Sequence, residues 1–171
     1  MRDGQRQAAR PAARILAFAM AGLLLASCGF QLQGSATYDE DLAAVYLQVP
    51  DASTPLARAL RRSMEAARVP LTDAGDALTR VELVRENTGR RVASVSAQNR
   101  PTELEVFYTA RYRILGPETE LLGEQRVTRS RIFTYDELDI LGKTQEEDML
   151  REALAREIAG VITRRLAGLA E

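Results

Sequence analysis

The 171-residue chain offers few side chains for catalysis or metal binding, since it has one cysteine, Cys28, and no histidine. Zinc and haem sites, and catalysis by cysteine or histidine, therefore lack their usual residues. An acid–base enzyme would have to use carboxylates, lysine or tyrosine. The adjacent carboxylates Asp136 and Glu137 would point to opposite faces of an extended chain, and no nucleophile motif accompanies them. We therefore expect no enzymatic activity, no metal and no cofactor.

Residues 1–27 have the features of a secretory signal peptide. A basic leader is followed by the apolar run Ile15–Leu25 and by the small residues Ala26 and Ser27. The eleven residues of that run, at about 1.5 Å of rise each, are too short to cross a hydrocarbon core of about 30 Å. We therefore expect a cleaved leader rather than a transmembrane helix.

Cys28 follows Leu25-Ala26-Ser27, and this sequence resembles the bacterial lipobox. The resemblance implies cleavage before Cys28, N-acylation of the new amino group and S-diacylglycerol on the thiol. An ordinary signal peptide with a cysteine near its cleavage site is the alternative interpretation. A lone thiol in an exported protein has no disulfide partner, which favours lipidation, and more than one acyl chain gives stable anchoring.

The residue after the cysteine indicates which membrane would hold the anchor. Position 29 is Gly rather than the Asp that tends to retain similar lipoproteins in the inner membrane. The expected location is the outer membrane, with the protein lipid-anchored on the periplasmic side.

Without the leader, 144 residues remain, with 19 basic and 23 acidic side chains and a net charge of −4. This length suits one domain, and the charge gives no support to nucleic-acid binding. We predict a signal peptide over residues 1–27, a lipidated tether over 28–41 and a single domain over 42–171.

The first half of the domain predicts a strand, a helix and a long second strand. Residues 45–49 alternate with period two, and Thr54-Pro55 begins a helix that stops before Pro70. Residues 77–97 form the second strand, in which Gly89 suggests a bulge or bend. Its core candidates are Val81, Leu83, Val92 and Val95.

The second half predicts two more strands and a terminal helix. Residues 104–114 alternate without a break, and residues 121–133 form a fourth strand that carries Arg126, Arg129 and Arg131. A capping box of Thr144 and Glu147 begins the last helix. The fold class is therefore α+β, in the order β-α-β-β-β-α, with two helices on one face of a four-stranded mixed sheet.

The predicted strands of about 13 to 20 residues are much longer than the usual five or six. The hairpin tips should therefore extend past the helices and leave one sheet face uncovered. That face carries Glu103, Glu105, Phe107, Thr109, Arg111 and Arg113. Such a surface is too polar for a bilayer and suits water or the polar lumen of a large β-barrel.

Three stretches of the chain resemble the LptE family of lipopolysaccharide-assembly lipoproteins. They are Cys28-Gly29-Phe30-Gln31-Leu32, Pro55-Leu56-X-Arg58, and Lys143 followed by Glu146-Glu147-Asp148-Met149. The resemblance implies a non-enzymatic partner of the outer-membrane β-barrel LptD. Family members sit as a plug inside that barrel, help it to fold and contact lipopolysaccharide on its way to the cell surface.

The resemblance also implies two lipopolysaccharide-binding residues. One family position falls on Lys143, in a predicted loop over residues 139–144. The other, at the tip of the hairpin between strands two and three, falls near Ala97, where Arg100 is the nearest basic residue. The chemical basis is charge, because a lysine ammonium binds anionic phosphate as a point charge. A free-standing outer-membrane lipoprotein that faces the periplasm, and binds an amphiphile or bridges protein partners, is the alternative.

Overall fold

The computed structural model describes residues 44–136 and 140–169. Cys28, the predicted leader and the predicted tether lie outside the described residues, as does Glu137. The helices and strands are β1 (Val45–Gln48), α1 (Pro55–Ala66), β2 (Thr79–Val95), β3 (Pro101–Leu115), β4 (Glu120–Thr134) and α2 (Ile140–Ala167). This order confirms the predicted α+β fold.

The sheet has the strand order β1-β2-β3-β4. β1 is parallel to β2, because a helical crossover through α1 joins them, and pairs only from Val45↔Thr79 to Gln48↔Glu82. Short turns make β2 and β3, and then β3 and β4, antiparallel. The last three strands have 17, 15 and 15 residues, so the predicted length is confirmed.

Strict alternation on β3 defines the two faces of the sheet. The residues that point towards the helices are buried, and they are Leu104, Val106, Tyr108, Ala110, Tyr112 and Ile114. Against them pack Leu56, Leu60 and Met64 of α1 and Leu154, Ile158, Ile162 and Leu166 of α2. Burial of each large aliphatic side chain is worth roughly 1.5–3 kcal/mol, so this layer holds the helices on one face. We call the opposite face the open face.

The start of α1 was predicted correctly. Thr54 is the N-cap, its Oγ1 accepts a hydrogen bond from the Ala57 N–H at 3.2 Å, and Pro55 occupies the first helical position. The helix ends at Ala66, and Arg68 has φ 60°. This left-handed residue turns the chain out of the helix two positions before Pro70.

The predicted bulge at Gly89 is wrong. β2 continues through the pair Gly89↔Phe107, and its register shifts lie between Leu83 and Arg85 and between Val92 and Val95. A Cβ atom added at Gly89 would lie 3.0 Å from Cζ of Phe107. The glycine therefore leaves room for the cross-strand aromatic ring rather than bending the strand.

The prediction that Val92 and Val95 belong to the core is also wrong, since both are 52% exposed. Val92 pairs with buried Leu104 and shares its face, but α2 packs mainly against β3 and β4. The end of the β2–β3 hairpin therefore extends past the cover of the helices, whereas Val81 and Leu83 are buried as predicted.

The last helix begins earlier than predicted. α2 already includes Ile140, so Thr144 lies inside the helix and the capping box with Glu147 is wrong. Glu147 is instead only 8% exposed, and its carboxylate forms ion pairs with Arg90 and Arg151. The contact with Arg90 on β2 fixes this part of the helix against the sheet.

The free energy of unfolding should fall above about pH 10, the ordinary pKa of tyrosine. Above that pH two core tyrosines ionise in the unfolded chain but stay neutral in the folded protein. Burial, helped by a 2.5 Å hydrogen bond from the Tyr108 hydroxyl to Glu86 Oε2, raises the pKa of Tyr108, and burial raises the pKa of Tyr112. Both pKa values are higher in the folded state, so the stabilisation is complete below about pH 10 and is lost as pH rises through them.

Urea unfolding at pH 8 and above pH 10 measures this loss. The double variant Tyr108→Phe/Tyr112→Phe should show a shallower decline than the parent protein. Equal declines in the two proteins would contradict the assignment to these tyrosines.

Candidate functional site

Lys143 lies in the first two turns of α2, so the predicted loop around it is wrong. Its Nζ donates a hydrogen bond to Glu146 Oε2 at 2.9 Å, one helical turn further on. The Lys143 side chain is 21% exposed. A cation at a helix N-terminus opposes the helix dipole, and Glu146 offsets that cost while leaving the ammonium at the surface.

Lys143 opens onto a cleft of about 100 Å³ between α2 and the sheet. The cleft is lined by Arg90, Leu104, Phe133, Tyr135, Lys143, Thr144 and Glu147. Leu104 and Phe133 contribute apolar surface, and two cationic side chains, Lys143 and Arg90, lie beside it with the Glu147 carboxylate. This combination suits the anionic headgroup of an amphiphile.

An ion-pair network holds Arg90 in this cleft. Arg90 Nη1 lies 2.9 Å from Glu147 Oε2, and Arg151 Nη2 lies 2.5 Å from Glu147 Oε1. Arg151 Nη1 also lies 2.7 Å from Asp148 Oδ1. The network positions Arg90 beside Lys143, although the two residues come from different elements.

Sequence reasoning missed Arg90 as a member of the site. Arg90 lies on the helix-facing side of β2, opposite Val106, and only this position would have identified it. That place follows from the strand register, which no local pattern reveals. Arg90 and Glu147 lie 57 residues apart in the chain.

Arg100 lies at the turn between β2 and β3, as predicted, and is exposed. The Ser96 N–H donates to the Arg100 carbonyl at 2.8 Å, and the Arg100 N–H donates to Ser96 Oγ at 3.3 Å. Arg100 does not line the Lys143 cleft. Leu104, which lines the cleft, is four residues from Arg100, a distance of roughly 13 Å at about 3.3 Å per residue. Lys143 and Arg100 therefore lie at the same end of the sheet but do not share one site.

The arginines of β3 and β4 divide between the two faces. Arg111, Arg113 and Arg126 lie on the open face, whereas Arg129 and Arg131 pair with Tyr108 and Val106 on the helix-facing side. The Arg131 guanidinium donates to Glu157 of α2. The shared polarity of these positions in the sequence therefore conceals two different environments.

Ion pairs cover much of the open face. Arg113 Nε lies 2.8 Å from Glu82 Oε2, and Arg91 Nε lies 2.5 Å from Glu105 Oε2. A hydrogen bond from Arg91, and to a smaller extent one from Ser130, holds the pKa of the Glu105 carboxyl below its usual value. The open face is thus a polar, charge-paired surface along much of the three long strands.

Neither helix of the described ranges is long and apolar enough to cross a membrane.

Three solved bacterial lipoproteins share this fold. Rare lipoprotein B from Shewanella oneidensis has a TM-score of 0.66 at 20% identity and covers 73% of this chain and 94% of its own. Uncharacterized lipoprotein B from Nitrosomonas europaea has a TM-score of 0.67 at 23% identity, with 82% and 91% covered. The minor lipoprotein from Acinetobacter baumannii has a TM-score of 0.63 at 20% identity, with 74% and 92% covered.

The lipopolysaccharide-assembly family LptE matches residues 42–166. LPS-assembly lipoprotein LptE from Pectobacterium atrosepticum is 25% identical over 153 residues, which cover 88% of this chain and 83% of that protein. The protein of the same name from Photorhabdus laumondii is 24% identical over 153 residues, with 88% and 83% covered. The chain belongs to the LptE family, and the predicted family resemblance is confirmed. It is a lipoprotein of the lipopolysaccharide-assembly system, in a family of assembly factors that is not a known enzyme family.

Proposed function

We propose that this protein is the plug and assembly factor of the outer-membrane barrel LptD. In this role it binds lipopolysaccharide and helps its export to the cell surface. The observation that carries the proposal is the open face, which the helices leave uncovered along three strands of 15 residues or more. Neither catalysis nor a cofactor is needed for this role.

The chemistry of the open face supports the lumen of a barrel as its surroundings. Ion pairs such as Arg113–Glu82 and Arg91–Glu105 would be costly against lipid, because charged groups lose their hydration there. The lumen of a large outer-membrane barrel is polar and water-filled. A sheet with a charged face fits such a space, and the projecting β2–β3 hairpin would extend along the axis of the barrel.

The proposed anchor is the N-acyl and S-diacylglycerol lipid on Cys28. More than one acyl chain holds a protein stably in a leaflet. The anchor would confine the domain to the periplasmic side of the outer membrane, where the barrel closes around it.

Lipopolysaccharide binding is assigned to the Lys143 cleft, with Arg100 as a second contact at the hairpin end. Lipid A phosphates are anionic, and lysine and arginine bind phosphate through charge-assisted hydrogen bonds. Arg90 adds a second cation to the cleft, and the apolar residues Leu104 and Phe133 provide contacts for non-polar parts of the ligand.

Isolation of the tagged protein from mildly solubilised membranes should recover a large β-barrel in stoichiometric amount. Thr128→Trp, at an exposed position halfway along β4 on the open face, should reduce that recovery by steric conflict. Met149→Trp, on the exposed side of α2, is the matched control. Recovery of the parent protein alone would contradict the plug and favour a free-standing lipoprotein.

Lys143→Glu should weaken lipopolysaccharide binding by about tenfold or more, because a hydrogen bond to a charged group contributes roughly 1.5–3 kcal/mol. Arg100→Glu, alone and combined with Lys143→Glu, tests the second contact. Binding is measured directly on the purified domain, whose circular dichroism should not change.

Arg156→Glu is the matched control for these variants. It makes the same change in net charge on an exposed part of α2, where Arg156 lies 3.8 Å from Glu152. If Lys143→Glu and Arg156→Glu lower the affinity equally, the effect is one of net charge, and Lys143 is not a contact.

A further inference from the structure

Three arginines lie side by side across the open face. Arg85 of β2 pairs with Arg111 of β3, and Arg111 pairs with Arg126 of β4. Neighbouring strands are about 4.8 Å apart, so the three side chains leave the sheet within a width of about 10 Å. Like charges directly opposite one another destabilise a sheet. We call these three residues the arginine row.

The charge of the arginine row is only partly neutralised. Arg111 Nη1 lies 3.3 Å from Glu124 Oε1. Within residues 44–136 and 140–169, neither Arg85 nor Arg126 forms an ion pair with a carboxylate. Other open-face arginines, such as Arg91 and Arg113, each have a carboxylate partner within 3 Å. The row with Glu124 therefore keeps a formal charge of +2.

A depression of about 260 Å³ lies at the arginine row. It is lined by the three arginines and by Glu86, Asn87 and Thr109. Glu86 pairs with Ala110 on the helix-facing side, and its carboxylate accepts the Tyr108 hydroxyl hydrogen bond at 2.5 Å. The remaining polar side chains are guanidinium groups, an amide and a hydroxyl, all of which can donate hydrogen bonds.

We propose that the arginine row binds a phosphoryl anion, either a phosphate monoester or a diphosphate. A phosphate monoester carries about −1.5 to −2 charges at pH 7, which matches the excess of +2, whereas one carboxylate would neutralise only half of it. Guanidinium groups bind phosphate oxygens in bidentate pairs. The depression of about 260 Å³ has the volume of several waters at roughly 30 Å³ each. It is therefore large enough for a diphosphate as well as for a single phosphate. This site is separate from the Lys143 cleft, and all the residues that line it belong to this chain.

The test is a titration of the mature chain with inorganic pyrophosphate at constant ionic strength, followed by amide NMR and calorimetry. Saturable binding should shift the amide resonances of Asn87 and Thr109. Arg85→Gln and Arg126→Gln should each weaken binding by about tenfold. Arg113→Gln, which removes an open-face arginine with its own carboxylate partner, should leave the affinity within about twofold.

Absence of saturable binding, or an equal loss in Arg113→Gln and the two row variants, would overturn the proposal. Vesicles that contain phosphatidic acid, whose headgroup is a phosphate monoester, are compared with vesicles of phosphatidylcholine alone to distinguish the sources of the phosphoryl group. If the vesicles bind the parent protein but not the row variants, the phosphoryl group belongs to a lipid headgroup. If the protein binds pyrophosphate but not the vesicles, the ligand is a free anion. If row variants keep their pyrophosphate affinity but lose the co-isolated barrel, the row is a protein contact and the anion site is wrong.

Discussion

Ile158→Ala is expected to lower the free energy of unfolding by about 2–5 kcal/mol. Ile158 is fully buried in the middle of α2 and belongs to the core between the helices and the sheet. Truncation removes apolar contacts and leaves a cavity that the surrounding packed side chains refill only in part. Because α2 covers both β3 and β4, the loss should weaken the attachment of the whole helix. Urea unfolding monitored by circular dichroism measures it.

Met149→Ala is the matched control on the same helix. Met149 is 60% exposed, so truncation there should change the free energy of unfolding by no more than about 0.5 kcal/mol. Similar losses of unfolding free energy in the two variants would show that the buried face of α2, which contains Ile158, does not hold the helix on the sheet.

Glu147→Gln is the second change with a large expected effect, about 1–3 kcal/mol of destabilisation. The substitution keeps the shape of the side chain and removes the charge between Arg90 and Arg151. Loss of one partner from a buried ion pair costs roughly 3–5 kcal/mol, but the Arg90 side chain is 57% exposed, and water can solvate part of its charge. Arg151 is less exposed and would keep Asp148 as its carboxylate partner.

Glu152→Gln provides the control for this experiment. Glu152 is exposed on α2 and lies 3.8 Å from Arg156, and surface pairs of this kind contribute about 0–1 kcal/mol. Denaturant unfolding of the two variants side by side separates a buried network from a general effect of charge. A loss in Glu147→Gln no greater than in Glu152→Gln would mean that the Arg90 contact does not hold α2 to the sheet.

The elements with strong local periodicity were predictable from sequence. The unbroken alternation of β3 identified both of its faces, and Thr54-Pro55 marked the start of α1. These signals come from neighbours in the chain, so they need no knowledge of the partner strands or helices. Leu154, Ile158 and Ile162 of α2 recur every four residues, which is an equally local signal of a buried helix face. The first turns of α2 carry no such signal, because Gly142 and Thr144 also suit a loop or a cap.

The features that depend on register could not be predicted. Before the bulge near Val84, odd-numbered residues of β2 such as Val81 face the helices; after it, even-numbered residues such as Arg90 do. This change of phase places Arg85 on the open face beside Arg111, and it places Arg90 where Glu147 can reach it. A bulge is selected by tertiary pairing, and the sequence offered Gly89 as the more obvious position.

The brevity of β1 has a consequence for the backbone of β2. Among the described residues, no strand continues along the outer side of β2 after Glu82. In an antiparallel pair, residues alternate between exchanging both backbone hydrogen bonds with the partner strand and exchanging neither. Between Arg85 and Val92, every second peptide N–H is therefore directed away from β3. Deuterium should replace these amide protons quickly and the intervening ones slowly, so that a single strand combines two classes of exchange rate. The fast-exchanging amides mark a row of free donors to which a further strand could add.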